Sequence, residues 1–255
     1  MNSPLFTVFS VALILGAIAW RIRAWQREQR ARENLVAFAL AKGWNLVPPD
    51  PELHHRWPGD PFKGGTNPRC ATVISGEFRG RSFTAFEYMH DKVTRDSNGR
   101  ERKRTQRFTV CVLALPGYVP VIQVEPESMA DRARGAIGLA RDQEFESEDF
   151  NRAFRVISDR PRVASDLLSP RTLQMLVSRP AFSWRTQGTD VVTWVPGIID
   201  PMGLLARLDT MSAVIEGVPP FVWHDRGTDP DVRRGELPDG QVAPTERDTS
   251  FTWEA

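Results

Sequence analysis

The residues whose types suggest chemistry are few: adjacent His54-His55, the spaced Glu87-x-x-His90, the cysteines Cys70 and Cys111, and an acidic run from Asp142 to Asp149. A carboxylate and a histidine three apart hold iron in helical bundles because they share a helix face. Glu87, however, falls on a predicted strand, so this pair reads as solvated polar residues at a strand end. Structural zinc needs four Cys or His ligands at short local spacings. Neither cysteine has such a partner, and two adjacent histidines rarely reach one ion, so no metal is expected and His54 and His55 read as surface residues. Asp142, Glu144, Glu146, Glu148 and Asp149 have the side chains of an acid/base pair, yet their order suits an exposed turn that opens a helix.

Glycines give no stronger signal. Lys63-Gly64-Gly65 and Gly76-x-x-x-Gly80 match neither phosphate-binding pattern in a strand-to-helix context, and Gly80 suits a tight hairpin. No nucleophile elbow and no Cys–His pairing is present. No cofactor is expected. The densest charge feature is basic: Arg95, Arg100, Arg102, Lys103, Arg104 and Arg107, on a polar loop from Asp91 to Gln106 turning at Asn98-Gly99. It reads as a solvated hairpin tip or as a contact for anionic lipid or a partner. It lacks the aromatic residues that stack on nucleic acid bases, and the net charge of +1 gives no global attraction to nucleic acid.

These residues must be positioned by a chain of 255 residues, 41% hydrophobic and 25% charged, which is ample for a proper core. Of its 33 basic residues 29 are Arg, a bias that fits a GC-rich bacterial genome. Two isolated thiols suit a reducing compartment at least as well as a single bridge. From Met1 to Trp20 there is no charged side chain, and Leu5 to Trp20 is apolar except for Thr7 and Ser10. Twenty helical residues span about 30 Å, the thickness of a hydrocarbon core. A cleaved signal peptide wants positive charge ahead of its apolar region. Here Arg21, Arg23, Arg27, Arg30 and Arg32 follow it, so the segment reads as an uncleaved single-pass anchor. The positive-inside rule then puts the N-terminus outside and the remainder in the cytoplasm. Trp20, Arg21, Arg23 and Trp25 are the expected interface residues, and the lipid bilayer is the expected partner of residues 1–20.

Arg21 to Lys42 lacks Pro and Gly and continues as a helix until Gly43. Residues 44–224 form the expected globular domain. Pro48, Pro49 and Pro51 mark a linker, and Trp57-Pro58-Gly59-Asp60-Pro61-Phe62 a rigid turn-rich loop. Thr72–Ser75, Ser82–Tyr88 and Phe108–Leu115 read as strands of an antiparallel meander. Pro116-Gly117 is expected to turn the chain back into Val121–Val124. A helix follows Ser147, a short strand covers Arg155–Ser158, and Pro161 and Ser169-Pro170 start helices. Phe182–Arg185 and Val191–Trp194 look like a hairpin, and a helix runs from Asp200-Pro201 to Gly217. Residues 225–255 are polar enough to expect a disordered tail.

Ala41-Lys42-Gly43-Trp44, Arg56-Trp57-x-Gly59-x-Pro61-Phe62-x-x-Gly65, Gly76-x-x-x-Gly80-Arg81 and Phe86-x-Tyr88 together resemble a family of uncharacterised, membrane-anchored bacterial proteins of actinobacterial type. Phe145-Glu146-Ser147-Glu148-Asp149-Phe150-Asn151-x-x-Phe154-x-Val156 and Leu168-Ser169-Pro170 extend the similarity across roughly residues 39–177. The resemblance implies an anchor plus a cytoplasm-facing domain, and carries over no catalytic residue. The expected fold is therefore α+β: a transmembrane helix with a juxtamembrane extension (residues 21–43), then an antiparallel sheet flanked by short helices. The expected function is a membrane-tethered cytoplasmic interaction or sensing module without catalytic activity, working with a membrane-associated protein partner. The alternative is a membrane-associated enzyme, such as a hydrolase, whose site is assembled from distant residues.

Overall fold

A computed structural model describes residues 4–95, 99–127 and 143–225, with backbone alone for residues 4–14, 17, 24, 221, 224 and 225. Of the expected tail at residues 225–255, all but Asp225, which ends the last described helix, lies outside them. The fold is α+β. Among the described residues a long helix, α1 (Pro4–Ala41), leads into six antiparallel strands and five short helices. Gly43, at φ 71°, ends α1 in the left-handed conformation that suits a residue just past a helix. Trp44 N then donates to Ala39 O at 2.9 Å.

The expected linker contributes an edge strand, β1 (Asn45–Val47), which pairs with β2 (Thr66–Phe78). β2 pairs with β3 (Arg81–Arg95) across a tight turn in which Gly80 has φ 72°. β3 pairs with β4 (Glu101–Pro126) from Phe83↔Leu113 to Arg95↔Glu101. The polar stretch expected as a loop is thus mostly strand. Its Thr and Val residues suit extended backbone, and its arms continue the register set by the buried part of the hairpin.

β4 is the spine of the sheet. Its first half lies beside β3, its last residues beside β5 (Phe154–Ser158), and β6 (Ser183–Pro196) pairs with it over most of its length. Two expected reversals are absent. Pro116-Gly117 does not turn the chain back, and β6 is one strand rather than a hairpin. Between the pairs Ala114↔Asp190 and Val119↔Gly188, β4 advances five residues while β6 advances two, so the surplus is absorbed as a bulge. Gly188, at φ 63°, bends β6 at the same level. The turn signals in both strands become one shared bend.

Short helices flank the sheet where their caps demand. Ser147 Oγ accepts from Phe150 N to start α2 (Glu148–Ala153), and Ser169 Oγ from Thr172 N to start α4 (Pro170–Val177). Between them lies α3 (Pro161–Leu167), begun by its proline. Asp200 caps α5 (Pro201–Glu216), and α6 (Pro220–Asp225) follows. One face of the sheet, with Phe83, Ala85, Cys111 and Leu113, is covered by the end of α1 (Leu35, Ala39) and by α5 (Leu204, Leu208, Met211, Ile215). The other face, with Phe86, Tyr88, Val110, Val112 and Trp194, is covered by the loop that contains Leu53 and Trp57.

Among the described residues no helix is long and apolar enough to cross a membrane. The first fourteen side chains of the expected anchor fall outside them. Its described remainder exposes Leu15, Ile18, Trp20, Ile22 and Trp25, with Trp20 at 73%.

Candidate functional site

Two surfaces bring together the residues singled out above: the loop over the Tyr88 face of the sheet, and the arm formed by the far ends of β3 and β4. The loop begins with a single 3-10 turn, Leu53–Arg56. Trp57 and Phe62 stack on Phe86 at 6.0 and 6.1 Å between ring centroids, and Phe62 meets Tyr88 edge-on at 4.9 Å. Trp57 Nε1 donates to Asp190 Oδ2 at 2.9 Å. Arg185, nearly fully buried in β6, reaches under the loop. Its Nη2 donates to Trp57 O at 3.0 Å, its Nη1 to Asp60 O, and its Nε to Gln187 Oε1 at 3.2 Å, while its guanidinium lies over the Trp194 ring. Burial pulls the guanidinium down to about 10, so it stays charged at neutral pH. Arg185 was missed in the sequence. Its neighbours Ser183, Thr186 and Gln187 are polar, so the sequence gives no signal that Arg185 is buried.

His54 corrects the sequence reading, for it is buried and not a surface residue. Its Nδ1 donates to Pro51 O at 2.8 Å, which fixes the tautomer, and its ring lies 5.7 Å from Tyr88. His55 is exposed, and its ring lies tilted against that of His54 at 3.9 Å between centroids. A shallow pocket of about 370 Å³ opens here, lined by His54, His55, Phe62, Lys63, Gly64 and Tyr88 among others. Gly65 (φ 79°) lies against the His90 ring so closely that a Cβ would collide with it. Gly65 thus serves close packing on the sheet, whereas a Cβ at Gly64 would meet nothing. No carboxylate lines the pocket, and among the described residues no three His, Cys, Asp or Glu side chains cluster to hold a metal.

Glu87 and His90 are both buried, against the expectation of solvated strand-end groups. Three positions apart on a strand, they face opposite sides of the sheet. Glu87 Oε1 accepts from Ile199 N at 3.3 Å, tying β3 to the segment before α5. His90 Nε2 lies 3.0 Å from Gln106 Oε1, and its ring stacks on Phe108. They form no joint site. In the acidic run Asp142 lies outside the described residues. Glu144, Glu146, Glu148 and Asp149 are exposed, and Asp149 pairs with Arg152 at 3.1 Å.

Both cysteines are free. Burial pushes the Cys70 thiol up to about 11 and that of Cys111 to about 12. An ordinary thiol sits near 8.5. At pH 8 the thiolate fraction of Cys70 is therefore lower by a factor on the order of a hundred or more. Alkylation of the native protein should accordingly be slow, and fast for both thiols in denaturant. Prompt labelling of the native protein would contradict this burial.

The arm sorts its cations by strand parity. On the α1 side Arg95 pairs with Glu101 at 2.9 Å, Lys103 with Asp91 at 3.1 Å, and Arg107 with Glu28 of α1 at 2.7 Å. Asp91 also accepts from Thr105, Asn67 and Arg69. The Thr105, Asn67 and Lys103 hydrogen bonds hold its carboxyl well below the usual carboxylate range. On the opposite side stand Arg102 and Arg104, and with them Lys92, which is cross-strand to Arg104. All three are exposed, and among the described residues none has an ion-pair partner. The expected set of six basic residues is thereby divided. Arg95, Lys103 and Arg107 hold the arm and α1 together, Arg102 and Arg104 face out, and Arg100 is exposed near the tip. Lys92 and Glu28 were missed. Alternation along a strand ribbon would have found Lys92, whereas Glu28 is joined to Arg107 only by the docking of α1.

No family model and no curated protein matches this chain. Among solved structures it is similar to that of the mycobacterial trehalose monomycolate transport factor A, TtfA. The TM-score is 0.50 and the identity 14%, over 75% of this chain and 96% of that one. At this identity the likeness is one of fold.

Proposed function

We propose that this chain is a membrane-tethered, cytoplasm-facing interaction module without catalytic activity of its own, held at the inner membrane of a bacterium by residues 1–20. The observation that carries the reading is the asymmetry of α1. Its end is buried in the domain core through Leu35 and Ala39, while its beginning presents Leu15, Ile18, Trp20, Ile22 and Trp25 to the surroundings. At 1.5 Å per residue its 38 residues measure about 57 Å, enough for a membrane crossing plus a rigid stalk. Exposed apolar and aromatic side chains in sequence with Arg21 and Arg23 suit a helix passing from hydrocarbon through headgroups. The similar structure is named a transport factor, and an interaction module is in keeping with that name. The division of Glu87 and His90 between opposite sheet faces supports a non-enzymatic reading.

Deleting residues 1–20 should release the protein from membranes that otherwise retain it through alkaline wash. A C-terminal reporter on the full chain should be active in the cytoplasm and silent in the periplasm. Retention of the truncated chain, or periplasmic activity, would overturn the reading. Co-purification from membranes would then identify the partner.

A further inference from the structure

We infer that the face of the β3–β4 arm carrying Lys92, Arg102 and Arg104 is a docking surface for anionic phospholipid headgroups, held at the level of the bilayer surface by α1. The inference rests on the anchor reading above and adds a second membrane contact to it.

Charge comes first. Cross-strand partners share a face, and like charges placed opposite one another destabilise a ribbon. Lys92 and Arg104 are such a pair, and Arg102 follows two residues on along the same face. On the other face every cation of the ribbon has a carboxylate: Glu101, Asp91 or Glu28. One face is therefore neutralised internally, whereas on the other Lys92, Arg102 and Arg104 have no ion-pair partner among the described residues.

Height comes second. Near the end of α1, Phe38 meets Trp44, and Trp44 meets Phe83. Ten residues earlier on α1, Glu28 meets Arg107, which is cross-strand to Met89. Moving back along α1 thus corresponds to moving forward along β3, and the arm points toward the apolar end of the helix. From Arg107 to Arg104 and Arg102 the strand advances about 10 and 17 Å. From Glu28 back to Arg23 and Trp20 the helix advances about 8 and 12 Å. Lys92 and Arg104 therefore stand level with Trp20 to Arg23, the residues that would sit among headgroups, and Arg102 lies about 5 Å further toward the apolar end of the helix. Each cation near an anionic surface favours partition about fivefold, so the three together give a factor on the order of a hundred.

The test uses the full chain with a fluorophore on Thr94→Cys, the arm position opposite Arg102. The protein is reconstituted in phosphatidylcholine vesicles with or without phosphatidylglycerol, all doped with a headgroup-nitroxide lipid. Flotation after alkaline wash reports the anchor separately. The expected result is strong quenching with phosphatidylglycerol, weak quenching without it, and a fall to the weak level in K92S/R102S/R104S, which still floats. Full flotation with no phosphatidylglycerol-dependent quenching would overturn the lipid contact and leave the anchor standing. Quenching unchanged in the triple variant would overturn the role of these cations. Loss of flotation by the parent chain would overturn the anchor, and the inference with it. Protection of the fluorophore by added RNA in place of phosphatidylglycerol would assign the face to another ligand and overturn the proposal.

Discussion

Trp57→Ala is expected to lower the stability of the domain by about 3–5 kcal/mol, the range for truncating a buried aromatic side chain. Trp57 is only 7% exposed and stacks on Phe86, so its removal leaves a void between the loop and the sheet. It also strips Asp190 Oδ2 of the indole donor. Trp57→Phe separates the two effects. It keeps most of the ring burial and loses the hydrogen bond, at a cost of about 1 kcal/mol. Urea unfolding of both variants checks this. Equal losses would mean that the hydrogen bond, and not packing, holds the loop. A Trp57→Ala protein as stable as the parent would show that the loop does not seal this face.

Arg185→Ala should destabilise by about 2–4 kcal/mol, because the carbonyls of Trp57 and Asp60 lose a charged donor. Replacing a buried charge with a well-packed apolar group can be neutral, since the desolvation cost disappears with the charge. Arg185→Met is therefore the informative comparison. If the guanidinium fork fixes the loop path, Met restores volume yet leaves the Trp57–Phe62 segment sensitive to limited proteolysis in the native state. Arg185→Lys keeps the charge and loses the fork, and should share that sensitivity. A Met variant with parental stability and parental resistance would reduce Arg185 to a space-filling role. Gly59 supports the clamp, since a Cβ there would lie 2.7 Å from Arg185 Nη1.

What was legible in the sequence was decided locally. Ser147, Ser169-Pro170 and Asp200-Pro201 start helices because a side-chain oxygen and a proline act within three residues of themselves. Gly43 and Gly80 sit where the chain needs positive φ. The apolar run Phe108–Leu115 is central because both of its faces must be covered, and β4 has neighbours on both edges. The rigid loop from Trp57 to Phe62 was likewise readable from its prolines and aromatics, and the structure places it on a sheet face.

Other features were settled only by tertiary partners. Pro116-Gly117 and Gly188 have the composition of turns, but a hairpin reversal and a bulge ask for the same residues. Pairing of β4 with β6 across the bend selected the bulge. His54, Glu87 and His90 looked solvated because polar side chains usually are. Each is buried because a loop, a helix-bearing segment or a neighbouring strand supplies its hydrogen-bond partner.

The basic arm shows the division most clearly. Its charge was plain in the sequence, and strand alternation alone separates Lys92, Arg102 and Arg104 from Arg95, Lys103 and Arg107. That the second set is neutralised depends on Asp91 and Glu101 facing it on the β3–β4 ladder and on Glu28 arriving from α1. Sequence determined how much positive charge the arm carries. The fold decided which half of it is left unpaired, because a carboxylate can neutralise only the face it reaches.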